Sequence, residues 1–145
     1  MGFVRLLIFL GLIGFIIHWW GGRQAAPAAT AGMSAEESSP GGFIPAAMPD
    51  GAPPNTVVIL APLHCSSEEA QRAESLAGEL ERLRIPVLRS SQYSATSDGS
   101  DSTRQANVKR AVTVLNGEVP AVFVNGRAKA NPSADEVIAE YQRAR

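Results

Sequence analysis

Residues Leu60–Glu69 read LAPLHCSSEE and hold the chain's one cysteine, Cys65. An apolar run ends just before it and helical periodicity begins just after it. A thiol at that junction faces the unpaired N–H groups and positive partial charge of a helix N-terminus, which stabilise a thiolate nucleophile. His64 is adjacent and adds a second titratable group, able to contribute charge or relay a proton. Glu68 and Glu69 act the other way, because negative charge at the same helix end disfavours the thiolate. The balance predicts a modestly lowered thiol pKa. No second cysteine exists to resolve an adduct, so any mixed disulfide on Cys65 needs an outside thiol to release it. The competing reading makes Cys65 a small half-buried hydrophobe, His64 a surface loop residue, and Ser66 and Ser67 helix caps. No Ser-His-Asp spacing supports a serine nucleophile.

The elements that must position this stretch follow from pattern. Thr56–Pro62, TVVILAP, is a continuous β-branched apolar run and predicts a strand buried on both faces. After Cys65, Ala70, Ala73, Leu76, Ala77, Leu80 and Leu83 form one helical stripe. Ser66 and Glu69 have capping-box spacing, and Ser67 is a second N-cap candidate. Residues 85–90, IPVLRS, predict a strand whose early proline suits an edge or a strand start. Residues 90–101 are polar and aperiodic and predict a long loop, in which Tyr93 is expected as an exposed aromatic. Val108, Ala111, Val112 and Leu115 predict a second helix, capped by Asp101 or Ser102 and ended by Gly117. Residues 119–130, VPAVFVNGRAKA, predict a hairpin turning at Asn125-Gly126. Val137, Ile138 and Tyr141 mark the buried face of a last helix with acidic residues in its first turn.

This order over residues 56–145, β-α-β-α-β-β-α, predicts an α/β fold with a mixed four-stranded sheet and helices on its faces. A crossover helix joins the first two strands and makes them parallel.

Two segments precede the domain. Residues 1–22 hold an apolar span, Gly2–Trp20, close to the ~20 residues that cross a bilayer. Arg5 lies near its start, and Trp19 and Trp20 suit a membrane–water interface. The segment reads as a single-pass transmembrane helix or, alternatively, a cleaved signal peptide followed by QAAPAATA. The bias of positive charge towards the N-terminus puts the C-terminal domain outside the cytoplasm, the periplasmic side of a bacterial-type inner membrane. Residues 23–55 are rich in Pro, Ala, Gly and Ser and read as a flexible linker. Phe43-Ile44 is its one apolar pair, able to dock on the domain but read first as isolated apolar residues within the linker.

The net charge of −1 gives no basic stripe for nucleic acid. One cysteine and two histidines leave too few soft ligands for a structural zinc site, so no metal is expected.

A cysteine at the first strand–helix junction, with a Val-Pro opening the hairpin, resembles the thioredoxin superfamily, and within it the compact glutaredoxin form. The resemblance covers residues 56–143, and VPAVFVNG is its strongest local piece. It implies a thioredoxin-like fold, a cis Val119–Pro120 bond facing Cys65, and Val119 backbone groups that bind an extended thiol substrate. It further implies glutathione or a thiol-containing protein as partner and co-substrate, with no resident cofactor. The family's Cys-x-x-Cys reads Cys65-Ser66-Ser67-Glu68 here, so Glu68 occupies the resolving position. Its glutathione-holding Gly-Gly and Asp are replaced by AKANPSAD, with Asp135 alone standing in. The implied function is that of a membrane-tethered monothiol thiol–disulfide oxidoreductase using Cys65, His64 and Pro120. The alternative is a non-catalytic thioredoxin-fold binding module with a structural Cys65.

Overall fold

The structure is a computed structural model of the 145-residue chain and describes residues 38–97 and 100–143. The predicted span at Gly2–Trp20 and linker residues 23–37 lie outside the described residues. Among the described residues, no helix is long and apolar enough to cross a membrane.

Among the described residues, five strands and three helices follow one another as β1 (Ile44–Pro45), β2 (Val57–Leu60), α1 (Glu68–Arg82), β3 (Val87–Ser90), α2 (Ser102–Leu115), β4 (Ala121–Val124), β5 (Arg127–Ala130) and α3 (Ala134–Arg143). The sheet order is β1-β5-β4-β2-β3. β2 and β3 are parallel, with Val57 opposite Val87, as a helical crossover requires. The other pairings are antiparallel. Pro86 immediately precedes β3, which is an edge strand, so its missing N–H removes no inner ladder bond.

The alternation of side chains along β2 and β4 divides the core into two layers. Val57, Ile59, Val122 and Val124 pack with Ala73, Leu76 and Leu80 of α1 and Val137 and Tyr141 of α3. Val58, Leu60, Ala121 and Phe123 face the other way and pack with Ala111 and Val114 of α2. The hairpin turns at Asn125 and Gly126, both at positive φ, 50° and 78°. Two positive φ values in succession define the primed turn that Asn-Gly favours. The α3 start is a reciprocal capping box: Glu136 Oε2 accepts from Ser133 N–H at 2.9 Å, and Ser133 Oγ accepts from Glu136 N–H at 3.3 Å.

The sheet has five strands where four were expected, because part of the anticipated linker folds onto the domain. Phe43 and Ile44 are not isolated apolar residues. Phe43 is fully buried in the first core layer, and Ile44 and Ala46 are buried in the second. β1 pairs with β5, which gives that edge a partner. Arg127 donates to the Phe43 carbonyl at 3.1 Å, and Lys129 donates to the Gly41 carbonyl at 2.8 Å. Tyr93, expected as an exposed aromatic, is half-buried; it stacks on Phe123 at 5.4 Å and donates its hydroxyl to the Ala47 carbonyl at 3.1 Å. The loop after β3 is also tied to this segment, through Asp50 N–H to the Ser94 carbonyl and Thr96 Oγ1 to Asp50.

Candidate functional site around Cys65

β2 ends at Leu60, and the chain emerges from the sheet through Ala61 and Pro62. It turns at His64, whose φ of 56° lies in the left-handed region that histidine enters more readily than most non-glycine residues. Leu63, His64 and Cys65 are all exposed, so Cys65 is a free, accessible thiol rather than a half-buried hydrophobe. Ser67 caps α1: its backbone is extended and its Oγ accepts from Ala70 N–H at 3.3 Å. The cap is therefore Ser67 and not the Ser66 of the expected capping box.

The Cys65 thiol is held below its ordinary pKa chiefly by the Ser67 N–H, then by the Ser67 hydroxyl and, least, the Ser66 N–H. Desolvation and the Glu69 carboxylate oppose this. The opposing charge felt at the sulfur is thus Glu69, where sequence gave Glu68 an equal part. Ser67's hydroxyl also favours the Glu69 carboxylate, whose pKa is lowered first by its own N–H and then by that hydroxyl. One hydroxyl hydrogen cannot serve both acceptors at once, so Cys65 and Glu69 compete for it.

Four of the six predicted site residues fall into two depressions, one on each side of α1, so Pro120 does not share a depression with Cys65. His64 and Cys65 line a small one of about 100 Å³, walled by Ile59, Ala73 and the Glu74–Arg89 ion pair. Glu68 and Pro120 line a larger open one of about 420 Å³, between α1 and the β5–α3 connection. The Val119–Pro120 bond is cis, as the resemblance implied. Val119 is partly buried against the first core layer. Asp135 is exposed in the first turn of α3 and lines neither depression. Among the described residues, no group of three or more His, Cys, Asp and Glu side chains is placed to hold a metal ion.

Two features of the site escaped sequence reasoning. The larger depression takes Gln71, Arg72, Ser75 and Glu79 from one stripe of α1. Successive steps of three or four residues from Glu68 to Glu79 put them on one helix face, a signal readable from periodicity alone. Arg127 and Lys129 clamp the Gly41–Phe43 backbone and carry their own carboxylate partners, Glu140 and Glu136. Glu140 is almost fully buried on a face expected to hold Val137, Ile138 and Tyr141, and no local pattern marks it. No family model matches the chain, and no curated protein or solved structure matches it either.

Proposed function

We propose that the chain is a membrane-tethered, glutaredoxin-like monothiol thiol–disulfide oxidoreductase with a thioredoxin-like domain whose sheet also takes in β1. The observation that carries this reading is the exposed Cys65 thiol at the start of α1, its thiolate favoured by the Ser67 N–H. The strand–helix–strand order around it supports the fold assignment. In the reaction, the Cys65 thiolate attacks one sulfur of an external disulfide. A new S–S bond forms to Cys65, the old S–S bond breaks, and the departing thiolate takes a proton from solvent or from His64. An external thiol, glutathione or a protein thiol, then attacks the mixed disulfide and regenerates the Cys65 thiolate. Electrons come only from external thiols, since Cys65 has no resolving partner in the chain. The Gly2–Trp20 segment would hold the domain at the extracytoplasmic face of the membrane, where disulfides persist.

The test incubates the full chain with oxidised glutathione and follows adduct mass and its release. Glutathionylation of Cys65, release by added thiol and loss of both in Cys65→Ser are the expected results. A folded chain in which Cys65 resists both glutathione and alkylation would sink the redox reading. The second reading, a binding module without turnover, is favoured by one observation: the larger of the two depressions flanking α1 holds Pro120 but excludes Cys65.

A further inference from the structure

The depression that holds Cys65 carries charged groups of its own, away from Pro120. Arg89 is the register partner of Ile59, and Ile59 packs into the core layer beneath α1. Strand neighbours in register point to the same face of a sheet, so Arg89 reaches towards α1 and pairs there with Glu74. Both side chains line the depression together with Cys65. The pair is open to solvent, with the Arg89 side chain 40% and the Glu74 side chain 66% exposed, and its contact runs from Arg89 Nη1 to Glu74 Oε2. A guanidinium has further N–H donors and a carboxylate further acceptor sites, so the pair can still take one anion and one cation. A ligand with a single charge competes with one member of the pair for the other. A ligand with both charges satisfies both members at once. The Glu69 carboxylate is also felt at the sulfur and disfavours a ligand end with negative charge alone. At about 100 Å³ the depression is well below the ~300–1,000 Å³ of sites for drug-sized molecules, so it admits one small end of a ligand.

We infer that Cys65 exchanges with small disulfides whose reacting sulfur lies beside a free α-amino-acid group, cystine being the simplest. The ligand carboxylate meets Arg89 and its ammonium meets Glu74. The Cys65 thiolate attacks one ligand sulfur. A new S–S bond forms to Cys65, the ligand S–S bond breaks, and the departing cysteine thiolate takes a proton from solvent. Cys65 is left as a mixed disulfide with cysteine. In glutathione the cysteinyl nitrogen and carbonyl are tied into peptide bonds, so no such pair of charges sits beside its sulfur. The inference rests on thiol exchange at Cys65 and specifies the substrate of that exchange.

The experiment mixes the full chain with cystine, cystamine, dithiodipropionate or hydroxyethyl disulfide and follows the Cys65 adduct by intact mass. Each rate is divided by that of N-acetylcysteine with the same disulfide, which removes the intrinsic reactivity of the reagent. Cystine should lead cystamine, which lacks the carboxylate, and dithiodipropionate, which lacks the ammonium, by about tenfold each. Arg89→Gln should lose that lead and favour cystamine, whereas Glu74→Gln should lose it and favour dithiodipropionate. A pair with a merely structural role would not give these opposite shifts. Comparable normalised rates for all four disulfides, or a cystine lead that survives both substitutions, would overturn the inference and leave thiol exchange standing. Failure of Cys65 to react with any of the four would overturn both.

Discussion

Residues 38–52 and the loop 61–67 are both short, proline-containing and without regular structure beyond the two residues of β1, yet they behave as opposites. The first is drawn into the domain at every few residues. Phe43 is fully buried, and the backbone at Gly41, Phe43 and Ala47 is held by Lys129, Arg127 and Tyr93. The second leaves Leu63, His64 and Cys65 in solvent and is organised by neighbours within a few residues, chiefly Ser67. What separates them is the location of their partners. The 38–52 segment is fixed by residues about half the chain away, while the Cys65 loop is shaped by the helix it opens.

The largest expected effect lies in the first region. Phe43→Ala removes an aromatic ring from a closed core layer that also contains Val57, Val124 and Tyr141. Loss of burial and the cavity left behind should together cost about 4 kcal/mol, read as a lowered urea midpoint. A cost under about 1 kcal/mol would mean that this segment is only resting on the domain, and the contrast between the two regions would collapse.

That contrast also explains what was legible in the sequence. Strands β2 to β5 and all three helices follow from periodicity, caps and the Asn125-Gly126 turn, because those signals act over a few residues. The Cys65 loop was readable for the same reason: a cap and a charge two or four residues away determine its chemistry. β1 was not readable. It contains Pro45 and follows Pro40 and Gly41-Gly42, a composition typical of linkers. Only the three-dimensional arrangement brings Arg127 and Lys129 to the Phe43 and Gly41 carbonyls just before it and buries the Phe43 ring in the core. Glu140 was missed likewise, since its ion-pair partner Arg127, at 3.7 Å, lies on β5, outside its own helix.

The clamp on residues 38–52 can be sharpened by pH. Burial opposes ionisation of Glu136, but Lys129 at 2.7 Å and the Ser133 N–H and hydroxyl outweigh it and hold its carboxyl below the usual glutamate range. A carboxyl whose pKa is depressed in the folded state stabilises above its unfolded value. That stabilisation is lost as pH falls through the lower folded value. Glu136→Gln should therefore lower stability at neutral pH by about 1 kcal/mol, through the weakened cap and ion pair. It should also make the acid limb of the stability curve shallower. An unchanged acid limb would show that Lys129 holds Gly41 without help from its carboxylate.

The smallest effects, and the most specific, belong to the Cys65 loop. Ser67→Ala removes the side-chain cap on Ala70 but keeps the Ser67 N–H, the main support of the thiolate. Because that cap is long and partly exposed, the stability cost should be only about 0.5 kcal/mol. The Cys65 pKa should rise yet stay below that of an unperturbed thiol, since the larger contribution survives. Glu69→Gln acts in the opposite direction by two routes. It deletes the opposing charge, and it replaces the carboxylate that competes for the Ser67 hydroxyl with a weaker acceptor. The Cys65 pKa should fall further, and alkylation at a pH below it should speed up in proportion to the thiolate fraction. Glu68→Gln, whose carboxylate does not figure among the influences on the sulfur, should shift the alkylation profile less than Glu69→Gln does. If Glu68→Gln shifts it more, the side chain facing the Pro120 groove would also govern the thiol, and the two depressions flanking α1 would have to be treated as one site.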